Sequence, residues 1–282
     1  MIGQYLLSWE ALEEGGQRDG RGRGSFRWAA DHYSDSGQDE PALLFLPGWA
    51  CDHTQVDPTA QLSAEHRRVV VLDWRGHGRS DSSSADFGYK EMVEDALSVI
   101  EASGAQQVVP VAQAHAGWVA IELRRRLGQR TPMLVLTSFL VLDPPSPFLA
   151  AMDALQDPAR WQEARERVFT TWLEGVSNSD VIRFVREIMS SYGFEMWARA
   201  GREITAAYAR YGTPLKALAA LNPPVPTLHL YGQPPDPGYL AAQEEFAAQH
   251  PWFEVRRLEV RSHFPTIEAP AEVAEAIESF ID

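Results

Sequence analysis

Several features are scarce in this chain of 282 residues, and each scarcity excludes a class of protein. A single cysteine, Cys51, rules out an internal disulfide framework and favours a reducing compartment. No run of about eighteen apolar residues occurs, so no transmembrane helix is expected. The N-terminus lacks the basic stretch of a signal peptide. We therefore expect a cytoplasmic protein without a membrane partner, present as a monomer or a weak homo-oligomer.

Basic residues are fewer than acidic ones, and motifs that bind cofactors are also scarce. The formal net charge of −14 argues against nucleic acid as a partner. No glycine-rich phosphate-binding loop follows a predicted strand, which argues against a nucleotide cofactor. Asp52 and His53, next to Cys51, are the only hint of a metal site, and such a site needs a fuller cluster of ligands. We therefore expect neither a cofactor nor a metal.

What the chain does contain is an alternation of strand and helix patterns from residue 42 onward. Short apolar runs predict the strands, and apolar residues at helical spacing predict the helices between them. Such an alternation is typical of a parallel sheet with crossover helices. Together with two strands near the N-terminus, the predicted strands are residues 4–9, 25–32, 42–46, 68–72, 108–111, 133–140, 226–231 and 253–260.

The alternation breaks within residues 144–213, where the pattern is helical and rich in aromatic side chains. This stretch begins with a stiff Pro-Pro-Ser-Pro linker at 144–147. An aromatic helical insertion after a sheet strand predicts a lid over the ends of the strands, although core packing also accounts for part of the aromatic content. We expect a core domain formed by residues 1–143 and 214–282, with residues 144–213 inserted as the lid.

Residues 107–118 have the frame of a nucleophile elbow, in which a strand turns sharply into a helix. The apex of such an elbow is normally Ser, and here it is Ala114. A methyl group cannot attack a carbonyl, so acyl-enzyme chemistry at this position is excluded. The frame predicts an α/β-hydrolase fold, with a mostly parallel eight-stranded sheet flanked by helices.

Three other pieces fall where this fold places catalytic groups. His263 lies in the loop after the last predicted strand, where the fold delivers its base. The backbone N–H groups of Trp49, in the Leu-Pro-Gly-Trp turn, and of His115, directly after the apex, are candidate oxyanion donors. Each piece alone also fits a structural turn or a surface histidine. Their order along the chain is what supports the fold.

A carboxylate that would orient His263 is harder to find. Thr137 and Ser138 stand near the end of the sixth predicted strand, where the acid is expected, and neither can supply a carboxylate; Asp143 comes several residues late. Asp236, after the seventh strand, is the candidate that fits the fold. A base that works near neutral pH needs only a pKa near the reference value of about 6.5, so an acidic partner for His263 is not essential.

Several longer strings of the chain are distinctive as a set. Asp-Trp-Arg-Gly-His-Gly at 73–78 is common among hydrolases and weak alone. The more particular strings are Asp-Pro-Ala-Arg-Trp at 157–161, Thr-Trp-Leu-Glu-Gly at 171–175, Tyr-Gly-Phe-Glu-Met-Trp at 192–197, Gln-His-Pro-Trp-Phe at 249–253 and His-Phe-Pro at 263–265. Over nearly its whole length the chain resembles the cofactor-free 2,4-dioxygenases of 3-hydroxy-4(1H)-quinolones.

The resemblance implies a base, an oxyanion site and a reaction. His263 would be the general base, Trp172 would face the bound ring, and the amides of Trp49 and His115 would bind the oxyanion. The partners would be O2 and a small aromatic N-heterocycle, with no cofactor. In that reaction the base removes the 3-hydroxyl proton and O2 then adds to the anion, forming a peroxide at C2. Attack of the peroxide on the C4 carbonyl releases CO and leaves an N-acylanthranilate.

The chain departs from the family's pattern at polar positions of the site. The family has Ser at the apex and a second His after the Pro-Gly-Trp turn, whereas this chain has Ala114 and Cys51. Gln113 stands where the family can carry His, and the family's acid is replaced by Ser138 or Thr137. The substrate contacts expected from the matched segments are Ala114, Gln113, Cys51, Ser138, Phe148, Val168, Trp172, Trp197 and Ile204.

These losses would disable a hydrolase but leave a proton-abstracting oxygenase viable, because proton abstraction and oxyanion stabilisation need no serine. Two rival functions stay open. A lyase, cyclase or monooxygenase would keep the base and act on another hydroxylated ring. A non-catalytic relative would keep the pocket and bind a quinolone without turnover. An ordinary esterase fits the sequence least.

Overall fold

The computed structural model describes residues 24–27, 32–37, 39–83 and 85–282, and a single sheet runs through these ranges. Its strands are β1 (Gly24–Arg27), β2 (His32–Ser36), β3 (Ala42–Leu46), β4 (Val69–Asp73), β5 (Val108–Gln113), β6 (Leu134–Thr137), β7 (Thr227–Tyr231) and β8 (Phe253–Arg257). They lie in the order β1-β2-β4-β3-β5-β6-β7-β8. The pairings of β2 with β1 and with β4 are antiparallel, and all others are parallel. The predicted mostly parallel, eight-stranded sheet is confirmed.

Helices pack on both faces of this sheet and also form the segment between β6 and β7. They are α1 (Asp57–Ser63), α2 (Tyr89–Ser103), α3 (Gly117–Leu127), α4 (Ser146–Leu155), α5 (Trp161–Trp172), α6 (Ser179–Arg183), α7 (Phe194–Tyr211), α8 (Pro214–Ala219), α9 (Pro237–Gln249), α10 (Pro265–Glu268) and α11 (Pro270–Ile281). A π-helix, Phe184–Met189, follows α6 directly. Within the described ranges, no helix combines the length and apolarity that crossing a bilayer requires.

Alternate side chains of β3 enter two separate apolar layers. Leu44 and Leu46 pack with residues of α2 and α3, whereas Leu43 and Phe45 pack with residues of α1 and α11. All five residues of β3 are buried. A strand covered on both faces reads as a continuous apolar run, which is why its bounds agree with the sequence prediction.

The N-terminal strands differ from the prediction. The predicted strand 4–9 lies outside the described residues. The predicted strand 25–32 is wrong in its extent, because the structure has β1 and β2 there and continues the second to Ser36. The sequence of β2, His-Tyr-Ser-Asp-Ser, has weak strand character. It forms a strand because it pairs antiparallel with the buried strand β4, where Tyr33 lies opposite Leu72.

The segment between β6 and β7 is helical, as the sequence predicts, and α4 to α7 lie within residues 144–213. Two of its helices cross closely at Gly201 of α7. A Cβ atom at this position would lie only 2.4 Å from the carbonyl oxygen of Met152 in α4. The absence of a side chain therefore allows α4 and α7 to pack backbone against backbone. The assignment of residues 144–213 as a separate lid domain stays a prediction.

Candidate active site

A strained turn connects β5 to α3 and places Ala114 at its apex. Ala114 has a φ of 48°, in the left-handed region that L-residues other than Gly, Asn and Asp rarely adopt. A short 3-10 turn, Ala114–Ala116, then leads into α3 at Gly117. A Cβ atom on Gly117 would lie 2.3 Å from the ring of Phe139, so this position admits only glycine. The turn has the geometry of a nucleophile elbow and carries a methyl group at its tip.

His263 lies in the loop between β8 and α10 and lines the same cavity as Ala114. Its imidazole stacks face to face on the indole of Trp172, with ring centroids 4.9 Å apart and planes inclined by 6°. Within the described part of the chain the imidazole makes no hydrogen bond. Burial lowers its pKa to about 4. The ring is therefore neutral at physiological pH, which is the form that accepts a proton.

The side chain of His115 is enclosed by aromatic rings. Phe148 stacks on it at 5.7 Å, and Phe139 and Tyr208 meet it edge-on. Its Nδ1 is buried and has no hydrogen-bond partner among the described residues. Burial, and secondarily the charge that His263 would carry, lowers its pKa to about 3. A charge on His263 would therefore oppose protonation of His115, and both imidazoles are neutral near pH 7.

The Pro-Gly-Trp turn holds its backbone amides in fixed directions. The N–H of Gly48 donates to Oε1 of Gln55 at 2.8 Å, and the N–H of Ala50 donates to Nε2 of His77 at 3.2 Å. The intervening N–H of Trp49 has no acceptor among the described residues. Burial lowers the pKa of His77 to about 4, so its neutral ring serves as a brace.

The second candidate donor, the N–H of His115, lies in the short 3-10 turn, Ala114–Ala116, that leads into α3. Amides in a first helical turn have no acceptor within the helix and are available to a ligand. This amide and that of Trp49 belong to residues that line the cavity. Both residues line the cavity together with Ala114, so their amides remain the candidate oxyanion donors.

The empty space of the cavity, counted together with its open mouth, is about 510 Å³, and the lining is mostly apolar. Its polar groups are gathered near the elbow, where Gln55, His115 and His263 contribute side chains. The thiol of Cys51 lies there too, and burial raises its pKa, which keeps it protonated. The apolar remainder comes mainly from α4, α5, the π-helix and α7, through Phe148, Met152, Leu155, Val168, Trp172, Met189, Trp197, Ala200 and Ile204.

Most of the residues predicted for the site line this cavity, but three do not. Gln113 is fully buried behind the apex, where its amide bonds to Thr137 and to the backbone of His263. Ser138 is also buried outside the cavity wall, because its φ of 49° ends β6 and turns the chain. Neither contacts the cavity as predicted.

Asp236 is the third correction. Its exposed carboxylate accepts a hydrogen bond from the N–H of Gly238 and caps the N-terminus of α9. The predicted contact with His263 is therefore not made. Asp before Pro237 at the first helical position is a helix N-terminus signal that could have been recognised in the sequence.

Sequence reasoning missed several cavity residues. No sequence pattern marks Gln55 as a cavity residue, because its contact with the N–H of Gly48 forms only when the Pro-Gly-Trp turn folds. Met152, Leu155, Met189 and Ala200 lie on helices whose apolar faces were visible, but which of these residues face the cavity depends on how the helices cross. Phe264 follows His263 directly and meets the Trp172 ring edge-on.

Asp52 and His53, the only sequence hint of a metal site, have partners within the protein. Asp52 caps a short turn by accepting from the N–H of Thr54. His53 hydrogen-bonds through Nδ1 to Asp73 at 2.8 Å, which raises the pKa of the His53 ring. Over the described ranges, no three His, Cys, Asp or Glu side chains are grouped to hold a metal ion.

Comparisons with known proteins show the family to which the chain belongs. Residues 43–276 match the model of the alpha/beta hydrolase family. The chain is 39% identical to the 2-heptyl-3-hydroxy-4(1H)-quinolone dioxygenase of Mycobacteroides abscessus, over 87% of this chain and 93% of that protein. It is 36% identical to the 1H-3-hydroxy-4-oxoquinoline 2,4-dioxygenase of Pseudomonas putida, over 88% of this chain and 95% of that one.

A solved structure is also similar to this chain in fold. The structure of an AqdC variant in complex with its substrate, the Pseudomonas quinolone signal, superposes with a TM-score of 0.87 at 36% identity. The match covers 91% of this chain and 99% of that one.

Proposed function

This chain belongs to the 3-hydroxy-4-quinolone 2,4-dioxygenases of the alpha/beta hydrolase family, and from that premise we propose that it cleaves the ring of a 3-hydroxy-4(1H)-quinolone with O2, releasing CO and an N-acylanthranilate. The observation that carries the proposal is a single cavity that brings the neutral imidazole of His263 together with an elbow whose apex, Ala114, carries no serine hydroxyl. Such a site supports proton abstraction, and it lacks the elbow serine on which ester hydrolysis in this fold depends.

His263 is the proposed base. Its pKa of about 4 reflects burial without a charged neighbour, which disfavours the imidazolium in the absence of an anion. Deprotonation of the 3-hydroxyl creates both charges at once, and in a cavity with few polar groups the resulting imidazolium and substrate anion attract strongly. The site therefore stabilises the pair of ions rather than the isolated imidazolium.

The amides of Trp49 and His115 are the proposed oxyanion donors. Fixed backbone N–H groups stabilise developing negative charge without reorganising during the reaction. Their bracing by Gln55 and His77 on one side and by the elbow turn on the other keeps them in place. The apex methyl group takes no part in this stabilisation, which is consistent with Ala at position 114.

In the proposed reaction the substrate anion supplies the electrons for O2. The first carbon–oxygen bond forms at C2 and leaves a peroxide, which attacks the C4 carbonyl. Collapse of the bicyclic intermediate cleaves the O–O bond and the two ring bonds to C3, which leaves as CO. Both atoms of O2 stay in the N-acylanthranilate. The apolar wall of the cavity suits this course, because it excludes water from the anion and admits a nonpolar gas.

The apolar part of the cavity supports a substrate with a 2-alkyl substituent. The wall formed by α4, the π-helix and α7 offers no polar side-chain atom to a ligand except the indole of Trp197. An alkyl chain needs no polar partner and gains about 0.8 kcal/mol for each buried CH2. Relatives at 37–39% identity act on 2-heptyl-3-hydroxy-4-quinolones, which fits this reading.

A larger side chain in this apolar wall should impair the reaction of a substrate with a 2-alkyl substituent more than that of an unsubstituted substrate. In Ala200→Leu the added methyl groups enter the part of the cavity that the apolar residues of α4 and α7 line. We expect kcat/KM for a 2-heptyl substrate to fall about 10- to 100-fold, since displacing two or three CH2 groups loses that much binding energy. The unsubstituted substrate should change by less than about threefold.

The matched control is Ala206→Leu, an exposed position on the same helix. It should leave both substrates unaffected. Equal losses for the two substrates in Ala200→Leu would contradict the assignment of this wall to the alkyl chain.

The reaction itself is tested with an oxygen electrode and CO detection on a panel of 3-hydroxy-4(1H)-quinolones. Anaerobic mixing should produce the absorption band of the substrate anion, and admission of air should consume one O2 and release one CO for each substrate. Tight binding with no turnover in air would instead identify a quinolone-binding protein. A product without loss of CO would identify a different base-dependent enzyme.

A further inference from the structure

No carboxylate among the described residues bonds to the imidazole of His263 in the way that a catalytic triad orients its base, yet the backbone at His263 is anchored. Nε2 of Gln113 donates a hydrogen bond to the carbonyl oxygen of His263 at 2.9 Å. Among the described residues, this is the only side chain that bonds to the backbone of His263. Its neighbours in the loop are held by other groups, such as Glu268, which accepts from the N–H groups of Arg261 and Ser262.

The amide of Gln113 is itself held in one orientation. Oγ1 of Thr137 donates to Oε1 of Gln113 at 2.6 Å, and the two residues pair in register at the ends of β5 and β6. This bond fixes the amide oxygen on the side of Thr137 and directs the NH2 group toward His263. The flipped amide would place two oxygen atoms against each other at His263 and leave the hydroxyl without this acceptor.

We propose that Gln113, oriented by Thr137, is the positioning residue for His263 and replaces the orienting carboxylate of a triad. The inference rests on the proposed function, since it assigns a role in that reaction. A triad carboxylate bonds to the ring of its histidine, whereas Gln113 holds the backbone that carries the ring. Gln113 does not line the cavity, so it acts through His263 and not on the substrate.

The test compares Gln113→Met with Gln243→Met. Gln243 is an equally buried glutamine whose amide bonds to His229 and Tyr239, away from the cavity. We expect Gln113→Met to lower kcat about 10- to 100-fold, the scale expected when a catalytic group is misplaced by about 1 Å. The dissociation constant of the quinolone, measured without O2, should stay within about threefold, because the wall of the cavity is unchanged.

Gln243→Met should lower the melting temperature and leave kcat within about threefold. The near-isosteric Thr137→Val frees the amide to rotate and should lower kcat about 3- to 10-fold, which keeps the test available if Gln113→Met does not fold. The inference is overturned if Gln113→Met retains the wild-type kcat. It is also overturned if Gln243→Met loses as much kcat at the same loss of melting temperature.

Failure of the proposed function has a different signature, because the wild-type protein would then consume no O2 with any quinolone. The positioning role is still measurable in that case by NMR of the His263 imidazole. Gln113→Met should broaden or split its resonances, and Gln243→Met should not. Unchanged resonances in Gln113→Met would reject the positioning role on their own.

Discussion

His263→Ala is expected to lower kcat/KM for the quinolone by about 10²- to 10⁴-fold, the usual contribution of a positioned general base. The loss falls on proton abstraction, so anaerobic mixing should no longer produce the spectrum of the substrate anion at neutral pH. The dissociation constant for the neutral substrate should change much less, because most of the cavity wall is apolar and intact. Stopped-flow absorbance and oxygen consumption measure the two effects separately.

His229→Asn serves as the control for histidine loss. His229 is fully buried and stacks on Tyr231, outside the cavity. This variant should retain the wild-type kcat/KM. Turnover by His263→Ala at the wild-type rate would show that another group, or the solvent, deprotonates the substrate.

Acidification from pH 6.5 to about 4 is expected to remove much of the stability of the fold. Burial lowers the pKa of four histidines in the folded protein, to about 3 for His115 and to about 4 for His77, His229 and His263. In the unfolded chain each titrates near 6.5. The unfolded state therefore binds more protons in this range, and stability is lost as the pH falls toward the folded values.

The size of the effect follows from the number of protons. Each such histidine costs about 1.4 kcal/mol of stability per pH unit in this window, against a typical total of 5–15 kcal/mol. His53 acts in the opposite direction, because its hydrogen bond to Asp73 raises its pKa and favours the folded state on acidification. The free energy of unfolding should therefore still fall with decreasing pH, because the buried neutral histidines outnumber His53.

Denaturant unfolding between about pH 4.5 and 7.5 measures this slope. His229→Asn keeps an amide N–H where the imidazole Nδ1 meets Gln243, and it cannot be protonated. Near pH 5 its stability should depend on pH by about 1.4 kcal/mol per unit less than that of the wild type. An unchanged slope would mean that His229 does not stay neutral in the folded protein.

The parts of the fold that were predictable are those that local pattern determines. The bounds of β3 follow from an apolar run that ends at Pro47. The elbow was recognisable because a strand, small residues and a helix must follow one another there. By contrast, β2 has a polar sequence and becomes a strand only through β4, a partner distant in the chain.

The position of the candidate site in the fold was predictable from the sequence, whereas the residues that contact the cavity were predictable only in part. His263 and Ala114 lie on one cavity because the topology brings the loop after β8 to the elbow. Gln113 was expected to contact substrate, but successive residues at a strand end point in different directions, and its amide is directed into the protein. The cavity residues of α4 and α7 could not be selected, since the close crossing at Gly201 determines which of them face inward.

The rare backbone angle of Ala114 bears on how this protein could have changed over time. A backbone N–H does not depend on the side chain that its residue carries. The candidate donors at the elbow are therefore kept when the apex residue is substituted, provided that the turn still forms. The proposed ring cleavage does not require a nucleophile at that side chain, whereas an esterase of this fold does. Ala114→Ser would add a hydroxyl, but no carboxylate among the described residues bonds to the imidazole of His263, so a Ser-His-Asp triad would still be incomplete.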